Sequence, residues 1–121
     1  EEPVVSVDPL HLHYIFDNLL DNALKYTDTG TIRVRITASP DQRSAVLTVS
    51  DTGKGIPAKL LERIFLPFER DSRHARDGKG IGLGLAIVNK LVEINGGKVW
   101  AESAGEGKGA TFCVKLPIML P

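Results

Sequence analysis

Asn18, Asn22 and Lys25 are spaced four and three residues apart, which places them along one face of a helix. Amide oxygens are ligands that a hard cation accepts, and amide and ammonium N–H groups can donate to phosphate oxygens. Tyr26 follows directly and can present its ring to a planar ligand. The row indicates a phosphate or metal site, although taken alone it fits a solvated helix face at least as well.

Two glycine-rich stretches could also hold a ligand. In the first, Asp51 precedes Gly53 and Gly55; glycines let the backbone approach a ligand closely, and a carboxylate accepts hydrogen bonds but donates none. The second, residues 80–85, leads into a predicted helix, whose unpaired N-terminal amide groups attract anions. No strand precedes it, which argues against the dinucleotide-binding motif, and the Walker phosphate loop is absent. An ordinary turn and a hinge are the respective alternatives.

Phe65 and Phe68 flank Pro67, a pattern that is more often a packed elbow than a binding element. The two rings could nevertheless anchor the near end of the loop that follows. The three histidines of the chain lack the spacing of a metal site. We therefore expect surface positions for His11, His13 and His74.

A helix is predicted to position the amide row. In residues 10–26 the apolar side chains recur with helical spacing and form one buried stripe. Asp8 and Pro9 suit the N-cap and the first turn of this helix. Residues 31–38 alternate between apolar and polar, and with residues 45–50 they predict a β-hairpin.

The rest of the chain predicts two more helices, three more strands and one loop. The helices are residues 58–65 and 83–95, and the strands are residues 4–7, 98–103 and 110–116. Residues 70–82 are charged, rich in glycine and poor in apolar groups, so we expect a mobile surface loop. This order of elements predicts an α/β fold with helices stacked on one face of a mixed sheet.

The chain of 121 residues fits one domain, residues 1–121, with 42% apolar and 25% charged residues. Its formal net charge is zero, so nothing favours a nucleic acid or an anionic membrane surface as a partner. Cys113 is the only cysteine, which excludes internal disulfides and favours a reducing compartment. No apolar run approaches the ~20 residues of a membrane helix, and a signal-peptide pattern is missing. We expect a cytoplasmic domain without direct membrane insertion, and membrane anchoring of a longer parent protein stays open.

Together and in order, these motifs resemble the ATP-binding domain of sensor histidine kinases. That domain belongs to the superfamily shared with type II topoisomerases, heat-shock chaperones and mismatch-repair ATPases. Residues 18–27 resemble the N box, 51–55 the first glycine box, 65–68 the F box and 80–85 the second glycine box. The resemblance covers essentially the whole chain, through residues 107–112 to Pro117. Asn95 stands where the family often has a histidine, which we interpret as a helix-cap change.

The resemblance implies a two-layer α/β sandwich, with helices on one face of a mixed, mostly antiparallel sheet and ATP held beneath a mobile lid. It implies Asn22 as the Mg²⁺ ligand, supported by Asn18, with Lys25 facing phosphate and Tyr26 near adenine or ribose. Asp51 would accept the adenine amino group, which its chemistry also favours because a carboxylate cannot donate to the guanine carbonyl. The other implied ATP-binding residues are Gly53, Gly55, Ile56, Phe65, Arg70, Lys79, Gly80, Ile81, Gly82, Leu83, Gly84 and Thr111.

Asn18 separates the branches of this superfamily. The topoisomerase-type ATPases and the protein-serine kinases place a glutamate four residues before the metal-binding asparagine, where it activates the attacking group. Asn18 occupies that position here and cannot act as a general base. The resemblance thus implies a histidine kinase fragment without its phosphoacceptor histidine, acting with a separate dimerisation domain and upstream of a response regulator. The alternatives are an ATPase or serine kinase of the superfamily, or a degenerate nucleotide-binding module.

Overall fold

The computed structural model describes residues 4–67 and 84–118. In these residues the elements are α1 Pro9–Tyr26, β1 Ile32–Ala38, β2 Ser44–Asp51, two 3₁₀ turns Ala58–Leu60 and Arg63–Phe65, α2 Gly84–Ile94, β3 Lys98–Glu102 and β4 Ala110–Pro117. Neither described helix has the length and apolar character that crossing a membrane requires. The predicted order of elements is confirmed, with two local differences.

Both differences concern short segments. Residues 58–65 form two separate 3₁₀ turns rather than one helix, because an eight-residue helix is marginal without packing and only Ile64 is buried there. The predicted strand 4–7 is reduced to a single antiparallel bridge between Val5 and Ile118. The chain has little room for more pairing, since Asp8 already caps the helix that begins at Pro9.

Helix α1 begins and packs as its sequence predicts. The Asp8 side chain accepts a hydrogen bond from the Leu10 N–H at 2.9 Å, which satisfies one of the unpaired amide groups at the helix start. Its buried stripe consists of Ile15, Leu19 and Ala23. Burial of this stripe fixes the rotation of α1 about its own axis. It therefore also fixes the direction in which the side chains of the amide row point.

The sheet has the strand order β1-β2-β4-β3, and all described strands pair antiparallel. Val34 lies opposite Val49, which lies opposite Phe112, so these side chains share one face. The helices cover this face, with α1 against β2 and α2 against β3 and β4. The predicted sandwich is thereby confirmed.

The core lies between the helices and this face of the sheet. Its largest fully buried side chains are Ile15, Leu19, Val49, Val88, Val92 and Val114. Burial of each such side chain contributes roughly 1.5–3 kcal/mol. Because both helices and three strands contribute to this core, the elements that border the site are held rigidly.

The Asn95 side chain caps the end of α2. Its Nδ2 donates to the Leu91 carbonyl at 2.7 Å and lies 3.1 Å from His11 Nδ1, so it caps α2 and ties it to α1. Gly96 follows with φ +79°, a left-handed conformation that terminates the helix. The helix-cap interpretation is confirmed.

His11, expected at the surface, is half-buried between the helices, whereas His13 is exposed as predicted and His74 lies outside the described residues.

Cys113 is buried on the sheet face that points away from the helices, opposite Trp100 and Thr48. Its thiol lies 3.7 Å from Glu102 Oε2, which also accepts a hydrogen bond from Trp100 Nε1 at 2.8 Å. Burial, then the charge of Glu102 and the hydrogen bond to it, raise the pKa of the Cys113 thiol to about 11. The thiol is therefore neutral at physiological pH and a poor nucleophile.

We expect this shift to make folding stability fall faster above pH 9 than it does in a Cys113→Ala variant. A thiol whose pKa rises from 9.0 in the unfolded chain to about 11 in the folded chain contributes stability below pH 9, which is lost between pH 9 and 11. Urea unfolding at pH 8, 9, 10 and 11 gives the free energy of unfolding for both proteins. Parallel pH dependences would contradict the raised pKa, since every other titrating group is common to both.

Candidate functional site

The amide row of α1 meets the start of α2 at Asn18. The Asn18 Nδ2 donates to the Tyr14 carbonyl at 2.9 Å, which fixes the side chain and leaves Oδ1 directed at Gly84. A Cβ atom on Gly84 would lie only 2.6 Å from this oxygen. Glycine at this position thus allows the first described turn of α2 to approach the amide row. The end of the second glycine-rich stretch and the predicted metal and phosphate residues therefore border the same space.

Asn22 and Lys25 continue the row toward the end of α1, and both are half-buried. Neither side chain forms a hydrogen bond or ion pair with a residue in 4–67 or 84–118. The two side chains are therefore available to a ligand on this face of α1.

Asp51 ends β2 and is buried, with 9% of its surface exposed. Its Oδ1 accepts a hydrogen bond from the Gly53 N–H at 2.8 Å. Because Asp51 lies opposite Ile32 and Ala110, its side chain shares the sheet face that the helices cover. The second carboxylate oxygen has no hydrogen bond from any described residue, so a buried acceptor faces the helix side of the sheet.

The loop after Asp51 is anchored to the end of α1. The Lys54 N–H donates to the Tyr26 carbonyl at 3.0 Å, and a Cβ on Gly53 would lie 2.1 Å from that same oxygen. Any side chain at Gly53 would therefore separate the loop from the helix. The Thr27 hydroxyl lies beside this contact, is buried and has no hydrogen-bond partner. The sequence predicted only a turn at Thr27 and gave no signal for a buried hydroxyl.

Gly55 and Ile56 connect this loop to the one between β3 and β4. Gly55 has φ +72°, and a Cβ there would lie 2.0 Å from the Gly105 carbonyl oxygen. The Ile56 side chain packs against the core, while its N–H donates to Ser103 Oγ at 3.0 Å. Sequence reasoning missed Ser103, because a single serine at the end of a strand has no distinguishing pattern.

Phe65 packs edge-on against Phe112, with ring centroids 6.3 Å apart and ring planes 73° apart. Such pairs contribute about 0.5–1.5 kcal/mol beyond area burial. The packed-elbow interpretation of this segment is supported for Phe65, while Phe68 lies outside the described residues. Contact of Phe65 with a nucleotide stays a prediction.

Thr111 lines the same cavity as Asp51, together with Ser103 and Ala110. It lies opposite Ser50, and the two hydroxyl oxygens are 3.1 Å apart. Side chains alternate between faces along a strand, so Thr111 points to the sheet face opposite the one that Asp51 faces. Its neighbour Ala110 lies opposite Asp51 instead. Contact of Thr111 with the nucleotide stays a prediction.

Within the described residues, the structure brings predicted residues together at two contacts, Asn18 with Gly84 and Tyr26 with Gly53. The other predicted residues described near them are Asn22 and Lys25 on α1, and Asp51, Gly55 and Ile56 at and after the end of β2. The predicted residues Arg70, Lys79, Gly80, Ile81, Gly82 and Leu83, and the predicted loop 70–82, lie outside the described residues. In residues 4–67 and 84–118, no three His, Cys, Asp or Glu side chains are grouped as a metal site. A cation at this site would rely on amide and ligand oxygens.

Comparison with protein families matches residues 7–120 to the model described as histidine kinase-, DNA gyrase B- and HSP90-like ATPase. The chain is 42% identical over 122 residues to the sensor histidine kinase RcsC of Escherichia coli and 38% identical over 115 residues to the sensor histidine kinase WalK of Bacillus subtilis. These alignments include 97% and 93% of this chain but only 12% and 19% of the two relatives. The chain therefore corresponds to one part of each relative.

Comparison with solved structures identifies the same kind of protein. The mycobacterial sensor histidine kinase MprB superimposes with a TM-score of 0.85 at 33% identity, over 97% of this chain and 78% of that one. Full-length ShkA in complex with AMPPNP superimposes with a TM-score of 0.83 at 31% identity, over 99% of this chain and 24% of that one. The second structure contains an ATP analogue, so the fold described above occurs in a protein that binds adenine nucleotide.

Proposed function

This chain belongs to the family of histidine kinase-, DNA gyrase B- and HSP90-like ATPases, and we propose that it binds Mg-ATP and donates the terminal phosphoryl group to a histidine on a separate dimerisation domain. The observation that supports this most directly is the contact of Asn18 with Gly84, which places the amide row beside the first described residue of α2, where the second glycine-rich stretch ends. A helix N-terminus attracts phosphate oxygens, and amide oxygens suit their accompanying cation. Relatives that are sensor histidine kinases extend the proposal to two-component signalling.

Asn22 is the proposed Mg²⁺ ligand, with Asn18 in support. Asn22 is half-buried without a partner among the described residues, and Asn18, whose carbonyl oxygen faces Gly84, lies one turn earlier on the same helix. Amide oxygens fit a hard cation, and Lys25 places a positive charge farther along the face. Bound there, Mg²⁺ would neutralise charge on the phosphates, and the residues of α1 hold the phosphate chain in line for transfer.

The base is proposed to lie at the other end of the row. Tyr26 is eight residues beyond Asn18, which is roughly 12 Å along a helix axis, and its carbonyl anchors the loop that carries Asp51 and Gly53. The Gly53 N–H holds one Asp51 oxygen, which leaves the other to accept the adenine amino group. Guanine has a carbonyl oxygen at that position, which would face the carboxylate with no proton between them.

The nucleophile is proposed to come from outside this chain. Asn18 occupies the position of the general base in related ATPases, and an amide cannot take up a proton at neutral pH. In the proposed transfer, an imidazole nitrogen of the phosphoacceptor histidine forms a bond to the terminal phosphorus, the bond from that phosphorus to the ADP oxygen breaks, and the imidazole proton passes to solvent. This chain contributes positioning and charge stabilisation rather than a covalent intermediate.

Because the phosphoacceptor histidine is proposed to lie outside this chain, the proposal includes other partners besides ATP. They are the dimerisation and phosphoacceptor domain of the parent homodimer and a cognate response regulator downstream. The chain spans 12% to 30% of the lengths of the relatives RcsC, WalK and SasA, which leaves ample length for such domains. Neither nucleic acid nor membrane insertion by this domain belongs to the proposal. We propose a cytoplasmic location, whether or not the parent is membrane-anchored.

Asp51→Ala should weaken ATP binding by roughly ten- to hundredfold. The substitution removes a hydrogen bond to a charged group, worth about 1.5–3 kcal/mol. It should also reduce the preference of the protein for ATP over GTP, because that preference depends on the acceptor at Asp51. Titration calorimetry with ATP and GTP in the presence of Mg²⁺ measures both effects.

Asp28→Ala is the matched control, since Asp28 is an exposed acidic residue in the turn after α1. It removes the same charge without touching the loop, so its affinity for ATP should equal that of the original protein. Equal competition by GTP and ATP in the unsubstituted protein would show that Asp51 does not select the base. Thermal unfolding of each variant separates lost binding from lost folding.

A further inference from the structure

The hydroxyl of Ser103 lies where two loops meet. Ser103 follows β3, and its Oγ accepts hydrogen bonds from the Ile56 N–H at 3.0 Å and the Gly105 N–H at 3.2 Å. The same oxygen lies 2.6 Å from the Gly109 carbonyl oxygen and 3.3 Å from the Gly105 carbonyl oxygen. A hydroxyl has one proton, and the shorter distance assigns it to Gly109. One side chain thus joins the loop after β2 to both ends of the loop before β4.

Main-chain contacts between the two loops surround this hydroxyl. The Gly107 N–H donates to the Lys54 carbonyl at 2.7 Å, and the Gly109 N–H donates to the Gly53 carbonyl at 3.1 Å. Gly55 approaches the loop so closely that a Cβ would lie 2.0 Å from the Gly105 oxygen. The loop before β4 therefore covers the loop proposed to bind the base along its length, and Ser103 is the side chain that connects them.

We infer that Ser103 is a positioning residue for the base, which sets the shape of residues 53–56 and through them the direction of the Asp51 carboxylate. Its one donor and its two acceptor positions are all used by main-chain groups, so no hydrogen-bonding capacity is left for a ligand. It acts through Gly53, whose N–H holds the carboxylate and whose carbonyl is held by Gly109. This inference rests on the proposed function, since it assumes that the loop binds adenine.

Ser103→Ala should leave the N–H groups of Ile56 and Gly105 without their acceptor and loosen the loop. We expect affinity for ATP and for adenosine to fall by the same factor, about tenfold, because both ligands carry the base. Affinity for magnesium tripolyphosphate, which has no base, should change less than about twofold. A merely structural role would weaken all three ligands equally, so the contrast between them is the diagnostic measurement.

Three further variants complete the experiment by titration calorimetry on the folded proteins. Ser103→Thr keeps the hydroxyl and should restore base affinity to within about threefold of the original value. Ser103→Cys places a weak hydrogen-bonding thiol there and should give a loss in the same direction, which keeps the inference testable if the alanine variant fails to fold. Lys98→Ala is the control, since Lys98 is exposed at the other end of β3, and it should leave all three affinities unchanged.

The outcomes separate this inference from the proposed function. If the unsubstituted chain binds neither ATP nor adenosine, the proposed function itself is wrong. If the unsubstituted chain binds both and the folded Ser103→Ala or Ser103→Cys variant binds them equally well, Ser103 does not position the base. Equal losses for adenosine and tripolyphosphate would also overturn the inference, because the effect would then extend beyond the loop.

Discussion

Asn22→Ala is expected to weaken binding of Mg-ATP by roughly a hundredfold while leaving adenosine binding almost unchanged. Loss of a contact to a charged group costs up to about 3 kcal/mol, which corresponds to that factor. Asn22 is half-buried on the face of α1 that Gly84 borders, and it has no other partner in the described residues. Adenosine carries no phosphates and no associated cation, so the affinity of the protein for adenosine should not change.

Titration calorimetry with ATP and adenosine, each with and without Mg²⁺, measures this difference. Asp21→Ala is the control variant, because Asp21 is adjacent on α1 but exposed. The proposed metal role also requires that the Asn22→Ala protein lose most of the Mg²⁺ dependence of its ATP affinity. Equal weakening of ATP and adenosine would instead assign Asn22 a structural role.

The parts of the fold that the sequence predicted are those with a strong periodic signal. Helix α1 has seventeen residues of regular apolar spacing and a capping aspartate, and both features reappear in the structure. The predictions that differ from the structure concern short segments. Residues 58–65 bury only Ile64 and form two 3₁₀ turns, and residues 4–7 pair through one bridge, because tertiary packing rather than local preference decides such segments.

The site was predictable where its residues lie close together in sequence, and less so where it depends on distant pairing. Asn18 and Asn22 share a helix, so spacing alone placed them on one face. Which residues of β4 lie beside Asp51 depends on the register of β4 against β2, which places Ala110 directly opposite it, and the sequence of β4 alone does not give that register. Ser103 contacts Ile56 across 47 residues, and His11 contacts Asn95 across 84. No local pattern encodes contacts of that kind.

Mixed with a dimeric helical domain that carries its cognate histidine, this chain is expected to transfer the terminal phosphoryl group of ATP in trans. Alone, it should hydrolyse ATP very slowly, because Asn18 cannot activate water in the position where related ATPases use glutamate. The rate in trans should be low, since the tether that supplies effective concentration is missing. Radiolabelled ATP and gel analysis of the mixture, with each component alone as the control, measure the transfer.

The chemistry of the labelled product decides between the branches of the superfamily. A phosphohistidine is labile in acid and stable in base, whereas a phosphoserine is stable in acid and labile in base. Treatment of the gel with acid and with base therefore identifies the acceptor. His11 packs against Asn95 at the helix ends, and His13 lies 3.0 Å from Asp17 on the surface of α1, so neither is set to receive phosphate within its own chain. Rapid ATP turnover by the isolated chain, or an acid-stable phosphoprotein, would instead place it with the ATPases or serine kinases.

The Asn18→Glu variant is a complementary test. Its rate of ATP hydrolysis should exceed that of the unsubstituted chain only if the lack of a general base limits that rate.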